Sequence, residues 1–232
     1  VGKVLLYLAF ALFIFWIVFP FLWVIISSFM TISELGAVPP HWIPERPTLA
    51  NYKSVLLGVY EGKNTYGTYG SGQKAETILP ALRNSFIIAV IVSFFNILIG
   101  GLAAYSISRF KTRLNHTLFY TLITSRVLPP IGMIIPFFII FRFLKVINTP
   151  LVLILSYNLL VLPMTIWLLK GYFDNVPTDL EEMAMVEGCT RFKSLILIVI
   201  PVAIPGFIAV FIMSMMECWS EFFFALVMTD QL

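Results

Sequence analysis

The chain has 232 residues, of which 59% are hydrophobic, 16% aromatic and only 12% charged. A soluble globular domain is roughly 45–50% apolar and about 25% charged, so this composition excludes a soluble enzyme domain, a disordered chain and a soluble nucleic-acid binder. The net charge of +3, from 15 Lys+Arg against 12 Asp+Glu, is too small to attract an anionic polymer, and the mean hydropathy of +0.95 indicates a membrane protein.

Crossing the hydrocarbon core takes about 20 mainly apolar residues. Charge-free or nearly charge-free runs predict five spans, at about 4–28, 85–108, 117–143, 151–169 and 198–216. The run 114–141 behind the third is broken by one charge, Arg126, and the apolar stretch 222–228 is too short to cross. The first run is too long for a signal peptide and no small-x-small cleavage site follows it. The chain starts at Val1, not Met, and reads as a trimmed product. The loop Arg109-Phe110-Lys111-Thr112-Arg113 has no acid nearby, which predicts a cytoplasmic position. The N-terminus with Lys3 then lies in the cytoplasm, the segment 29–84 outside and the segment 170–197 inside. Pro39-Pro40, Pro44 and Pro47 predict an ordered start to the outer segment. Gly62, Gly67, Gly70 and Gly72 predict a flexible insertion near 60–76. Cys189 and Cys218 fall on opposite sides of the membrane, so no bridge between them is expected.

Catalytic readings fail on spacing. Gly58 with Gly62-Lys63-Asn64 is one residue short of a phosphate loop, and Asn64 stands where Ser or Thr should bind magnesium. The cluster Gly67, Gly70 and Gly72 follows no buried strand. His41 and His116 lie on opposite sides of the membrane, no group has metal-ligand spacing and no serine sits in a nucleophile elbow. The chain therefore reads as having no catalytic residue, no metal and no cofactor of its own. Uphill transport would draw on an ion gradient or a partner.

The segment after the fourth span carries the most information. Thr178 with Glu181 predicts a capping box, with Asp179 adding negative charge to the first turn. Gly188 suits the left-handed residue that ends a helix, which places a short helix at about 179–187. Thr190 can cap a second helix, and Pro201 and Pro205 mark the entry to the fifth span. Leu180, Met183, Ala184 and Glu187 fall on one side, which leaves Glu182 free to meet a groove on another protein. The alternative is a surface helix lying among lipid headgroups.

Glu182-Met183-Ala184, then Gly188, then nine residues, then Ile198-x-Ile200-Pro201 resembles the E-A-A-x3-G-x9-I-x-L-P signature of ABC importer permeases. Met183 replaces Ala and Ile200 replaces Leu. Phe21-x-Trp23, Ser27-Ser28-Phe29, Pro47-Thr48-Leu49-Ala50-Asn51-Tyr52, Asn84-Ser85, the run Ala103-Ala104-Tyr105-Ser106-Ile107-Ser108-Arg109-Phe110 and Trp219-Ser220-Glu221-Phe222 resemble elements of the sugar-importing, MalG-type group (maltose/maltodextrin or glycerol-phosphate-like). The last of these has Ser220 where Asn is usual. The resemblance covers about residue 10 to the end.

It implies an all-α polytopic bundle of the type I ABC importer permease kind, forming one transmembrane domain in a prokaryotic inner or plasma membrane. It also implies a second permease subunit, an ATPase dimer holding ATP and magnesium, and an extracellular or periplasmic sugar-binding protein. By this resemblance Glu181, Glu182, Met183, Ala184, Glu187, Gly188 and Pro201 form the ATPase-coupling element, in a hairpin at 174–197. Members of the group carry a sixth span and a cytoplasmic tail. This chain stops at Leu232, outside the membrane by this topology, so either it is truncated or that helix is absent.

Intramembrane polar groups are expensive and so are candidates for the substrate pathway. Arg126, Asn96, Tyr157 and Asn158 qualify by depth, and Glu217, Trp219 and Glu221 sit at the outer mouth, Trp219 and Glu221 being the pathway candidates there. The competing readings are a structural charge for Arg126, hydrogen bonds between helices for the amides and an interfacial anchor for Trp219. An importer of a non-sugar solute remains the main functional alternative. A secondary transporter would need carboxylates inside the spans and inverted repeats, and neither is visible.

Overall fold

The computed structural model describes residues 2–57 and 78–229. Among them there is no strand. The chain divides into two compact units, Val1–Leu82 and Arg83–Leu232. The insertion expected near 60–76 lies outside the described residues.

In the first unit, α1 (Gly2–Ser28) is apolar all round and has no buried residue. A helix of that kind suits a lipid surrounding rather than water. Its C-terminal end is tied to the segment that follows. The Asn51 amide donates to the carbonyls of Ser28 and Met30, both at 2.9 Å, and the Ser28 and Tyr52 hydroxyls lie 2.7 Å apart. Trp23 stacks on Trp42 with ring centroids 5.0 Å apart. The short helix α2 (Ile32–Leu35) opens with a reciprocal capping box. The Glu34 N–H donates to the Thr31 hydroxyl, and the Thr31 N–H donates to the Glu34 carboxylate. That Thr31 N–H, foremost, holds the Glu34 carboxyl below the usual carboxylate range. Helix α3 (Ala50–Leu57) carries Asn51 and Tyr52.

The second unit holds most of α4 (Ile78–Arg109), then α5 (Arg113–Ser125), α6 (Pro130–Phe143), α7 (Pro150–Asp174), α8 (Thr178–Val186), α9 (Arg191–Ser194), a π-helical turn Leu195–Val199, α10 (Ile200–Ser220) and α11 (Phe223–Met228). Among the described residues four helical stretches are long and apolar enough to span: α1, α4, α7 and the run Arg191–Ser220. The segment expected as one span at 117–143 is two helices, α5 and α6, bent by 106°, which together are also long and apolar enough to count as a fifth, broken span. Pro129-Pro130 causes the break. A proline disfavours helical geometry at the residue before it, here Leu128 and Pro129, and Pro129 is extended, at φ −64 and ψ 129.

Two apolar clusters hold this unit together. One joins Val92 of α4, Phe141 of α6, Val152 and Tyr157 of α7, and Phe224 and Met228 of α11. The other joins Ala104 and Tyr105 of α4, Leu169 and Phe173 of α7, Leu195 and Val199 of the π turn, and Val210 of α10. Between lipid-exposed helices the hydrophobic effect supplies little drive, so close backbone approach through small residues matters. At Gly100 of α4 an added Cβ would stand 2.7 Å from Thr165 Cγ2 of α7. Thr165 is buried and its hydroxyl lies 3.2 Å from that of Ser214 on α10, so it cannot swing away without losing that contact.

Gly100→Ala is therefore expected to cost about 1–3 kcal/mol through overpacking, seen as a lowered thermal unfolding midpoint in detergent. Gly171→Ala, where an added Cβ meets nothing within 4 Å, serves as the control. Equal midpoints for the two variants would show that α4 and α7 are not held at this distance.

Candidate functional site

Helix α8 and the turn after it form the hairpin expected at 174–197. Gly188 takes φ +90 and closes α8 in a Schellman arrangement. The Cys189 N–H donates to the Ala184 carbonyl at 2.9 Å and the Gly188 N–H to the Met185 carbonyl at 3.1 Å. Thr190 caps α9, its hydroxyl accepting from the Lys193 N–H at 3.3 Å. Pro201 has no N–H to donate to the carbonyl four residues earlier, and the ladder widens just before it. The Ile200 N–H donates to the Leu195 carbonyl, five residues back.

The capping box expected from Thr178 and Glu181 is not formed. Pro177 occupies the cap position and makes no side-chain cap bond. Glu181 is turned instead toward α4. Its carboxylate accepts from Arg109 Nε and from the Tyr105 hydroxyl, each at 2.5 Å. Both charged side chains are only 7% exposed. The Arg109 guanidinium also donates to the Val176 carbonyl at 3.0 Å, and Ser108 and Lys170 donate to Asp174 at 2.6 and 2.5 Å. The end of α4 thus grips both the base and the first turn of the hairpin.

This anchor decides which face of α8 is shown. Glu181 and Ala184 are buried, whereas Glu182, Met183, Val186, Glu187 and Gly188 are exposed. Of the side formed by Leu180, Met183, Ala184 and Glu187 only Ala184 is buried. A fully bonded carboxylate outcompetes Met183, which is 65% exposed. Pro201 lies exposed in the first turn of α10.

A second site lies at the break between α5 and α6. Arg126 donates to Glu217 of α10 at 2.7 Å and to the Leu160 carbonyl of α7 at 3.3 Å. Both charged side chains are 38% exposed. They line a cavity of about 370 Å³ together with Tyr157, Cys218 and Glu221. Glu221 also accepts from the Phe224 N–H at 3.0 Å and caps α11. Irregular backbone at membrane depth is tolerated where it lines a cavity or is buried in protein, and the break at residues 126–129 fits that rule.

The other pathway candidates lie elsewhere. The Asn96 amide donates to Asn158 at 3.0 Å and to the Val92 carbonyl at 3.1 Å, and Asn96 is fully buried. Trp219 is 48% exposed and does not line the cavity. Glu217, expected at the outer mouth, is the partner of Arg126, whereas nothing in the sequence marks Tyr105 and Arg109 as gripping the hairpin. An intramembrane arginine demands a partner, but which acid answers it depends on the helix break at residues 126–129.

These features define a polytopic helical membrane protein with an outward-presented hairpin and a polar cavity at a helix break. The chain belongs to the family of binding-protein-dependent transport system inner membrane components, which matches residues 96–231. It is 32% identical to the sulfoquinovosyl glycerol transport system permease protein SmoH of Agrobacterium fabrum, over 97% of this chain and 73% of that one. It is also 32% identical to the trehalose/maltose transport system permease protein MalG of Thermococcus litoralis, over 91% of this chain and 70% of that one. Among solved structures, a chain of a bacterial ABC transporter involved in the import of the acidic polysaccharide alginate shares the fold, with a TM-score of 0.78 and 17% identity. The match covers 99% of this chain and 75% of that one.

Removing one partner of a buried ion pair strands the other, at a cost of about 3–5 kcal/mol, whereas an apolar replacement of both is far milder. Glu181→Leu and Arg109→Met are each expected to lower the unfolding midpoint sharply, and the double variant is expected to recover much of the loss. Strict additivity of the two effects would mean that the pair is not coupled.

Proposed function

We propose that this chain is the permease subunit of an ATP-driven ABC importer for a sugar or oligosaccharide, forming half of the translocation pathway. The observation that carries the proposal is the anchored hairpin. Glu181 fixes α8 to α4 from beneath, so that Glu182, Met183 and Val186 are offered outward as one face. A short helix held this way fits a groove on a partner.

In this reading the hairpin faces the cytoplasm, as does the N-terminus, and the partner is a separate ATPase dimer that holds ATP and magnesium. A second permease subunit completes the pathway, and a sugar-binding protein delivers cargo from outside. Closure of the ATPase dimer pushes on α8, and the Glu181 anchor passes the push to α4 instead of letting the hairpin swivel. The names of the relatives, a sulfoquinovosyl glycerol permease and a trehalose/maltose permease, support a carbohydrate cargo.

The cavity at the helix break supplies groups suited to sugar hydroxyls. Arg126 donates only, and the Glu217 and Glu221 carboxylates accept only. With two carboxylates beside one arginine, it suits a neutral polyol better than a second anion.

Glu182→Lys, assayed in vesicles containing the whole importer, is expected to reduce sugar uptake at least tenfold with an unchanged unfolding midpoint, because Glu182 is exposed. Normal uptake would end the coupling role. Arg126→Gln is expected to reduce uptake severalfold while the ATPase still assembles and hydrolyses ATP, which separates the pathway from the coupling element. A co-purified binding protein that takes amino acids and no sugar would favour the non-sugar importer.

A further inference from the structure

The structure holds a second, larger cavity, of about 1050 Å³, where α4 ends, α5 begins and α7 ends. Neither transport nor hairpin anchoring uses its open face. Four full cations line it, Arg109, Lys111, Arg113 and Lys170, against one carboxylate, Asp174. Glu181 neutralises Arg109 from behind, and Asp174 neutralises Lys170. Lys111 and Arg113 remain, both exposed and with no acidic partner among the described residues. The positive end of the α5 dipole adds to their field.

Depth identifies the anion. α4 and α7 are both long and apolar enough to span, and they end at Arg109 and Asp174, on the cavity wall. The cavity therefore sits at the level of the lipid headgroups, where the phosphodiester is the abundant anion. Just beyond Arg113, α5 presents Leu114 and Leu118 one turn apart, 67% and 47% exposed. Cations that meet an exposed apolar stripe match the two halves of a phospholipid. Basic pockets between spanning helices on the cytoplasmic side hold anionic headgroups in this way.

We infer that this groove binds an anionic phospholipid of the cytoplasmic leaflet, with the phosphodiester between Lys111 and Arg113 and an acyl chain along Leu114 and Leu118. The inference rests on the topology proposed above. Seated there, the lipid bears on the end of α4, next to the Arg109–Glu181 anchor.

The test is native mass spectrometry of the assembled importer, released from vesicles of mixed phosphatidylglycerol and phosphatidylcholine. The wild type is expected to retain phosphatidylglycerol preferentially. Lys111→Gln with Arg113→Gln is expected to lose that preference at least fivefold while the ATPase stays bound, and Lys111→Arg with Arg113→Lys is expected to keep it. Equal retention by the glutamine variant overturns the inference, and so does displacement of the lipid by millimolar inorganic phosphate, which would mark a soluble anion site. Labelling of Lys111→Cys from outside intact cells, above the unsubstituted chain, would instead overturn the topology beneath it.

Discussion

One buried ion pair governs how the hairpin is held. Taking Arg109 and Glu181 out of water costs several kcal/mol per ion, and their attraction repays it only if every remaining donor and acceptor is bonded. Here that condition is closely met. Tyr105 takes the second carboxylate oxygen, and the guanidinium has the Val176 carbonyl as well as Glu181. Such a pair adds little net stability over an apolar one. Its value is orientation, because only one rotation of α8 satisfies it. With Glu181 inward, Glu182 must point out.

The same logic of satisfied charge organises the opposite end of the bundle. Arg126 would be intolerable in a continuous lipid-facing helix. The proline pair ends α5 at that residue, opens a cavity, and lets the guanidinium reach both a carboxylate and a carbonyl. Break, charge and cavity are therefore one device. Asn96 and Asn158 are spent on each other, a bond typically worth about 0.6 kcal/mol, and they serve packing between α4 and α7.

Much of this was legible in the sequence. Four of the spans follow from charge-free length alone, and the end of α8 follows from Gly188, since only glycine takes φ +90 without strain. Thr190 capped as its residue type suggested. Where sequence and structure differ, a partner distant in the chain outcompetes a local pattern. Thr178 and Glu181 have capping-box spacing, yet Glu181 found a stronger partner 72 residues earlier in the chain. A capping box of the same spacing did form at Thr31 and Glu34, where the carboxylate's other oxygen is bonded by the Arg46 backbone N–H and no arginine side chain competes for it. The third span has its apolar length in the sequence, and Pro129-Pro130 marks where the two helices meet at an angle. The pairing of Arg126 with Glu217 could not be read at all, because it depends on that break.

The π-helical turn at Leu195–Val199 has a geometric consequence. Residues buried along this stretch fall at 195, 199, 203, 206, 210, 214 and 218. Positions 195, 206 and 199, 210 are separated by eleven residues, a spacing of about 3.67 per turn that drifts right-handed relative to an ideal helix. The wide turn absorbs one extra residue at the join, and each residue of an α-helix is worth about 100° of azimuth. Because the wide turn takes up that residue, the helices on either side keep nearly the phase of an unbroken α-helix, and the buried faces before and after the join stay aligned. The turn thus works as slack in the ladder: it holds one residue more than a plain helix needs, and the packed faces at 195–199 and 203–218 run on as one seam across it.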